Sequence, residues 1–160
     1  MSDVVARVYL DTGVYIAVIK QEEGRVEASR RAIEEGEAGR SVLMASPLVL
    51  AELCGHGEVR AAQDVTQVDK IVNDFFRHPF VHWVELDVPL AYEARVLSRR
   101  YRLRGSDAVH LASAIRTKCD ALMTWDRGFP IGETVEGVRV MEPAPLTRQI
   151  QLGDLEQGAD

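Results

Sequence analysis

Apolar positions fall along this chain as short strand-like runs that alternate with longer helical stripes. Val4 to Leu10, rich in β-branched and aromatic residues, predicts a buried first strand. Val42 to Ala45, Phe80 to Leu86 and Ala121 to Trp125 read as a second, third and fourth strand, and Val138 to Met141 as a short fifth. Helices are expected over Thr12 to Ile19 and over Glu27 to Glu37, the latter largely polar and ending near Gly36 and Gly39. Ser46-Pro47 starts a third helix, with a capping hydroxyl and a proline at the first helical position, and Gly55-His56-Gly57 interrupts it. Val65 to Arg77 places Val68, Ile71, Val72, Phe75 and Phe76 on one side. Pro89 to Tyr101, started by Asp87 or Pro89, and Ser106 to Lys118, with a stripe through His110, Leu111, Ala114 and Ile115, complete the set. Strands alternating with helices predict an α/β fold with a parallel sheet covered on both faces. After Pro143 and Pro145 the chain turns polar, so a domain over 1–145 and a flexible tail over 146–160 are expected.

With 160 residues and 46% hydrophobic content, the chain suits one domain, so fold and site must share the same layers. Nineteen Lys plus Arg against 25 Asp plus Glu give a net charge of −6, which argues against global attraction to nucleic acid and leaves any such recognition to local arginines. Cys54 and Cys119 lie in apolar helical pattern without zinc-ligand spacing and read as buried reduced thiols. Asp3 and Arg7 interrupt the first apolar stretch, and nothing approaches a membrane-spanning run. A cytoplasmic protein is expected.

Four acids stand where an apolar run gives way to a helix or turn: Asp11, Glu52, Asp107 and Asp126. Carboxylates this deep in apolar sequence are costly unless paired or metal-bound. Asp11 and Asp126 follow strands, so in a parallel sheet both project from the carboxyl edge, where such folds place their sites. Each also has a plainer role open to it: Asp11 as an N-cap, Asp126 as a turn residue, Asp107 as an anion in the first turn of a helix. Glu52 has Leu48 and Val49 one turn earlier, so its carboxylate emerges from an apolar stripe. His110 shares a face with Asp107, Leu111 and Ala114 and reads as a satisfied core histidine rather than a ligand.

Leu10-Asp11-Thr12, Ala51-Glu52-Leu53, the run from Asp107 to Ala114, and Thr124-Trp125-Asp126-Arg127-Gly128-Phe129, in that order, resemble the PIN domain, most closely the VapC-type toxins of toxin–antitoxin pairs. The likeness runs from the first strand through Val140. It implies a three-layer α/β/α sandwich with a central parallel sheet, and an endoribonuclease that uses Mg²⁺ or Mn²⁺ to activate water. Asp11, Glu52, Asp107 and Asp126 match the family's acidic quartet. Thr12 matches the hydroxyl beside the first acid and Thr124 the hydroxyl before the last. Trp125 stands where a small polar residue is frequent, and Gly128 where many relatives carry another acid.

Mg²⁺ favours octahedral oxygen coordination by a few carboxylates. Asp11 and Asp107 are expected as direct ligands, Asp126 directly or through water, and Glu52 beside a water or a second ion. Without metal, like-charge repulsion should raise at least one acid's pKa. Arg99, Arg100, Arg102 and Arg104 surround Tyr101, offering cations for RNA phosphates (Arg102 and Arg104 above all) and a ring for stacking. Cations favoured by a helix C-terminus are the other reading of the same cluster. The resemblance also implies a homodimer and a cognate antitoxin that blocks the acidic pocket. The groove between the helices over Thr12 to Ile19 and Glu27 to Glu37 is the expected seat for its apolar face. An RNA-processing PIN nuclease or a catalytically weak PIN-fold binding subunit are the alternatives. A haloacid-dehalogenase-type phosphatase needs an Asp where Gly13 stands, and a response-regulator receiver needs a strand-end lysine that Lys118 is misplaced to supply.

Overall fold

The computed structural model describes residues 5–55 and 65–146, without the side chains of 54, 55, 65–68 and 71. The expected tail beyond residue 146, the interruption at His56-Gly57, the Cys54 thiol, and the placement of Val68 and Ile71 lie outside the described residues.

Six strands form one sheet in the order β3-β2-β1-β4-β6-β5, with β1 Ala6–Leu10, β2 Ser41–Ala45, β3 Val81–Trp83, β4 Ala121–Met123, β5 Thr134–Val135 and β6 Val138–Met141. All neighbours run parallel except β5 against β6, so the sheet is mixed at one edge rather than wholly parallel. That edge hairpin was not expected from sequence. Glu136 and Gly137 turn it, with φ of 48° and 87°, the positive pair that a two-residue hairpin of the favoured hand requires.

The helices are α1 Thr12–Ile19, α2 Val26–Glu37, α3 Pro47–Gly55, α4 Val65–Phe76, α5 Val88–Tyr101 and α6 Gly105–Arg116. Alternate residues of the central strands serve opposite faces. Tyr9, Met44, Leu122 and Val140 pack with α5 and α6 around Leu90, Leu97 and Leu111. Val8, Leu10, Leu43, Ala45 and Met123 pack with α1 to α4 around Val14, Val49, Val72 and Phe76. The result is the expected three-layer α/β/α sandwich. Leu146, inside the expected tail, still packs against the second cluster.

Two expectations need correction. The third strand spans Val81–Trp83 rather than Phe80 to Leu86, although the Val84 amide still donates to Ala45. The fourth ends at Met123, because Thr124 and Trp125 already turn into the site loop. As expected, α2 ends at Glu37, close to Gly39, with Gly36 in its last turn. A Cβ there would stand 2.3 Å from Leu43 Cγ, so the glycine allows α2 to lie flat on β2.

Strand order reverses beside β1: the chain winds outward through β2 and β3, then returns to place β4 on the other flank. The crevice at the carboxyl ends of β1 and β4 is the switch point where α/β sheets bind ligands. The Asp11 amide donates to Met123 O across that crevice at 3.0 Å.

Candidate functional site

A cleft of about 580 Å³ opens at this switch point, and Asp11, Glu52, Asp107 and Asp126 all line it. Each arrives from a different element. Asp11 caps α1, Glu52 sits midway along α3, Asp107 occupies the first turn of α6, and Asp126 lies in the loop after β4. The structure thus brings together the four acids singled out from sequence, and Thr12 and Arg104 line the same cleft.

Hydrogen bonds fix the acids in place. Asp11, 7% exposed, accepts from the Thr12 amide at 2.9 Å through Oδ1 and from Thr124 Oγ1 at 2.8 Å through Oδ2. Thr124 in turn accepts from the Asp126 amide at 3.0 Å, so one hydroxyl ties the first acid to the last. Thr12 Oγ1 donates to Glu52 Oε2. Asp126 Oδ1 accepts from the Gly128 amide at 2.7 Å. A Cβ on residue 128 would lie 3.1 Å from that oxygen, so a glycine there leaves the carboxylate room to turn back on its own loop. Both threonines therefore act on the acids and not only beside them.

His110 is the residue that sequence reasoning placed in the core without its connection to the site. It is fully buried, and both ring nitrogens are engaged: Nε2 lies 2.7 Å from Glu52 Oε2 and 3.5 Å from Asp11 Oδ1, and Nδ1 lies 2.8 Å from Tyr9 Oη. Tyr9 donates to Ser46 Oγ at 2.9 Å and accepts from the Ser46 amide at 3.2 Å. Burial alone would lower the imidazole pKa, but the hydrogen bond it donates to Glu52 and the charges of Asp11, Glu52 and Asp107 outweigh it and raise it. A charged His110 donates from both nitrogens, which leaves the Tyr9 hydroxyl proton for Ser46 and closes the chain without an orphan group. The spacing of Asp107 to His110, one turn of a helix, was the available signal that both point the same way.

Electrostatics separates the acids. Burial raises the Asp11 pKa, against the lowering charge of His110. Burial, and then the charges of Asp11 and Asp126, push Asp107 up to about 6. For Glu52 burial is again the largest influence and raises the pKa, but the His110 hydrogen bond and charge, with Thr12 and Ser106, carry it below the usual range. Repulsion among carboxylates was expected from sequence; the structure adds that burial is the larger cause.

The arginine cluster divides. Arg104 stands at the N-cap of α6 and lines the cleft, whereas Arg102, left-handed at φ 55°, ends α5 and is not among the lining residues. Tyr101 packs against the first core cluster with the Arg100 guanidinium 5.5 Å from its ring, and it is not among the residues that line the cleft. The aromatic ring in the cleft is Trp125, accompanied by Arg25, which sequence reasoning passed over.

Carboxylate oxygens of Asp11 and Glu52 lie within 4.8 Å of each other and of His110 Nε2; a charged His110 has no lone pair for a cation, so the acids are the donors. Asp107 and Asp126 add further hard oxygen donors to the cleft. Their mutual repulsion is what a divalent cation would relieve, so the donor set fits one.

The sequence matches the PIN domain family over residues 8–131. It is 33% identical over 147 residues to Ribonuclease VapC45 of Mycobacterium tuberculosis strain CDC 1551, covering 87% of this chain and 96% of the relative. Ribonuclease VapC49 of strain H37Rv matches with the same identity and coverage. Among solved structures, the fold is similar to VapBC2 from Rickettsia felis bound to a DNA fragment from its promoter (TM-score 0.61, 15% identity, 85% of this chain and 98% of that one). It is also similar to Mycobacterium tuberculosis VapC20, a sarcin-ricin loop cleaving toxin (TM-score 0.61, 17% identity, 75% and 90%). A toxin–antitoxin complex from Klebsiella pneumoniae gives a TM-score of 0.61 at 20% identity, over 87% and 99%.

Proposed function

This chain belongs to the PIN domain family, and from that premise we propose that it is the toxin of a toxin–antitoxin pair, an endoribonuclease that cleaves RNA phosphodiesters with a divalent cation. The observation that carries the reading is the convergence of Asp11, Glu52, Asp107 and Asp126 on one cleft from four separate elements. The two relatives that share a third of its residues over the matched stretch are ribonucleases.

Asp11, Asp107 and Asp126 would hold Mg²⁺ or Mn²⁺, with Glu52 beside them. A cation bound there supplies polarisation of water and of the phosphodiester oxygens. The chain's own groups prepare the rest. Thr124 aims the Asp11 carboxylate and, through the Asp126 amide, sets the loop. His110 and Thr12 hold Glu52 by the same oxygen, and Ser106 adds a further hydrogen bond to the carboxylate. Arg104, on the rim, is placed to receive a substrate phosphate. Among the described residues no helix is long and apolar enough to cross a membrane, and we place the protein in the cytoplasm with its RNA.

Two surfaces support the partners. A groove of about 240 Å³ between α1, α2, α3 and α4 is lined by Tyr15, Ile19, Ile33, Leu53 and Phe75, with Arg30 and Glu34 at its edge. An amphipathic antitoxin helix would bury its apolar face there. On α5, Val88, Tyr92 and Val96 recur every four residues at 69%, 66% and 65% exposure. A two-fold axis at Tyr92 would set Val88 against the second copy's Val96 and Glu85 against its Arg99, which supports a homodimer. Tyr92→Glu is expected to yield a monomer in sedimentation velocity; a wild type that is itself monomeric at micromolar concentration removes the dimer from the reading.

Expression of this chain alone is expected to arrest bacterial growth, and co-expression of the adjacent small open reading frame to relieve the arrest. Harmless wild type with no binding to the neighbour would move the assignment to an RNA-processing nuclease.

A further inference from the structure

We propose that Trp125 and Arg25 form a stacking subsite that grips one unpaired nucleotide of the RNA beside the acids, with Arg104 taking a neighbouring phosphate. The inference rests on the ribonuclease reading and assigns its specificity to a feature that metal chemistry does not need. Carboxylates alone could hold a cation; an aromatic ring flanked by a guanidinium in the same cleft answers a different demand. A base needs a π-face, and its phosphate needs a cation.

The subsite is built rather than fortuitous. Trp125 Nε1 donates to Ser29 Oγ at 2.9 Å, and Ser29 is itself fully buried in α2. The indole packs on the second core cluster, so the ring is held at a set angle while its part-exposed side lines the cleft. The Arg25 guanidinium lies 5.5 Å from the ring centroid, and Glu22 Oε2 tethers Nη1 at 3.4 Å. A guanidinium stacked on indole presents its own outer plane, and both Arg planes and aromatic rings stack on splayed-out bases. Arg25 precedes α2 and Arg104 precedes α6, helices on opposite faces of the sheet. A strand crossing the cleft would therefore meet a cation on each side of the acids. A paired duplex hides its base faces, so the subsite selects unpaired RNA.

Steady-state cleavage of a single-stranded RNA oligonucleotide by the full chain in Mn²⁺ tests the proposal. Trp125→Ala is expected to raise KM roughly tenfold or more, the range of one lost stacked base, with kcat little changed and with Trp125→Phe restoring most of the loss. Arg25→Ala, a surface change that leaves the fold intact, is expected to raise KM and to reduce the slope of log affinity against log salt by about one. In a Trp83→Phe, Asp107→Asn chain, where Trp125 is the sole indole, the same oligonucleotide should quench the emission, and its duplex should not. Wild-type KM and salt slope in Arg25→Ala, or RNA binding without quenching, overturns the subsite. A wild type that cleaves no RNA refutes the ribonuclease reading instead, and the quench then decides the subsite alone.

Discussion

Asp107→Asn is expected to reduce metal-dependent RNA cleavage on the order of a thousandfold while leaving the chain folded. Asp107 sits in the first turn of α6, half-buried between the charges of Asp11 and Asp126. The amide keeps the shape but removes the charge that a cation needs, and losing one preorganised electrostatic partner costs about a hundred- to a thousandfold. The same substitution should stabilise the metal-free protein. An acid whose pKa rises from 3.8 to about 6 on folding opposes folding once ionised; the handicap is absent below about pH 4 and complete above about pH 6. Calorimetry in chelator should therefore show the melting temperatures of wild type and Asp107→Asn diverging, in favour of the variant, as pH rises across that interval. Parallel curves would show that Asp107 does not share a field with the other acids.

His110→Leu should have the largest effect on stability. Removing one partner of a buried charge network leaves the other uncompensated, at a cost of about 3–5 kcal/mol. Asp11, nearly as buried as His110, would lose its nearest cation, and Glu52 would lose the contact that holds it toward the cleft. Tyr9 and Ser46 would be left with one acceptor too many. The pH dependence has the opposite sense to that of Asp107. The histidine pKa is raised above its ordinary 6.5 on folding, so its contribution is complete below that value and fades as pH rises through the folded pKa. Denaturant unfolding in chelator should show the gap between wild type and His110→Leu narrowing at alkaline pH. A gap under about 1 kcal/mol near pH 6, or one that widens with pH, would contradict a charged His110.

These two residues also mark where sequence reading succeeds and stops. Asp107 was legible because an acid in the first turn of a helix with an apolar stripe is a local pattern. His110 was legible only as core, since its Glu52 partner lies 58 residues away and its Tyr9 partner 101 away; only strand order brings β1, α3 and α6 together. The strands of the sheet centre were readable from their apolar runs, and the α1 boundaries at Thr12 and Ile19 agree with the structure. The β5–β6 hairpin was not, because β5 has only two residues and Glu136 is a weak turn signal before Gly137. Tyr101 was favoured over Trp125 for stacking because arginines surround it in sequence. The fold instead leaves Tyr101 out of the cleft lining and brings Arg25 to Trp125 across 100 residues of chain.

The central claim is that four carboxylates at one switch point make a cation-dependent ribonuclease. It is tested most directly by stripping the purified chain with chelator and following cleavage of an RNA oligonucleotide as Mg²⁺ or Mn²⁺ is returned. Activity should be absent in chelator and return with the cation in wild type, while Asp11→Asn stays silent under both conditions. Cleavage that persists in chelator, or that Asp11→Asn recovers at the wild-type rate, would contradict the account.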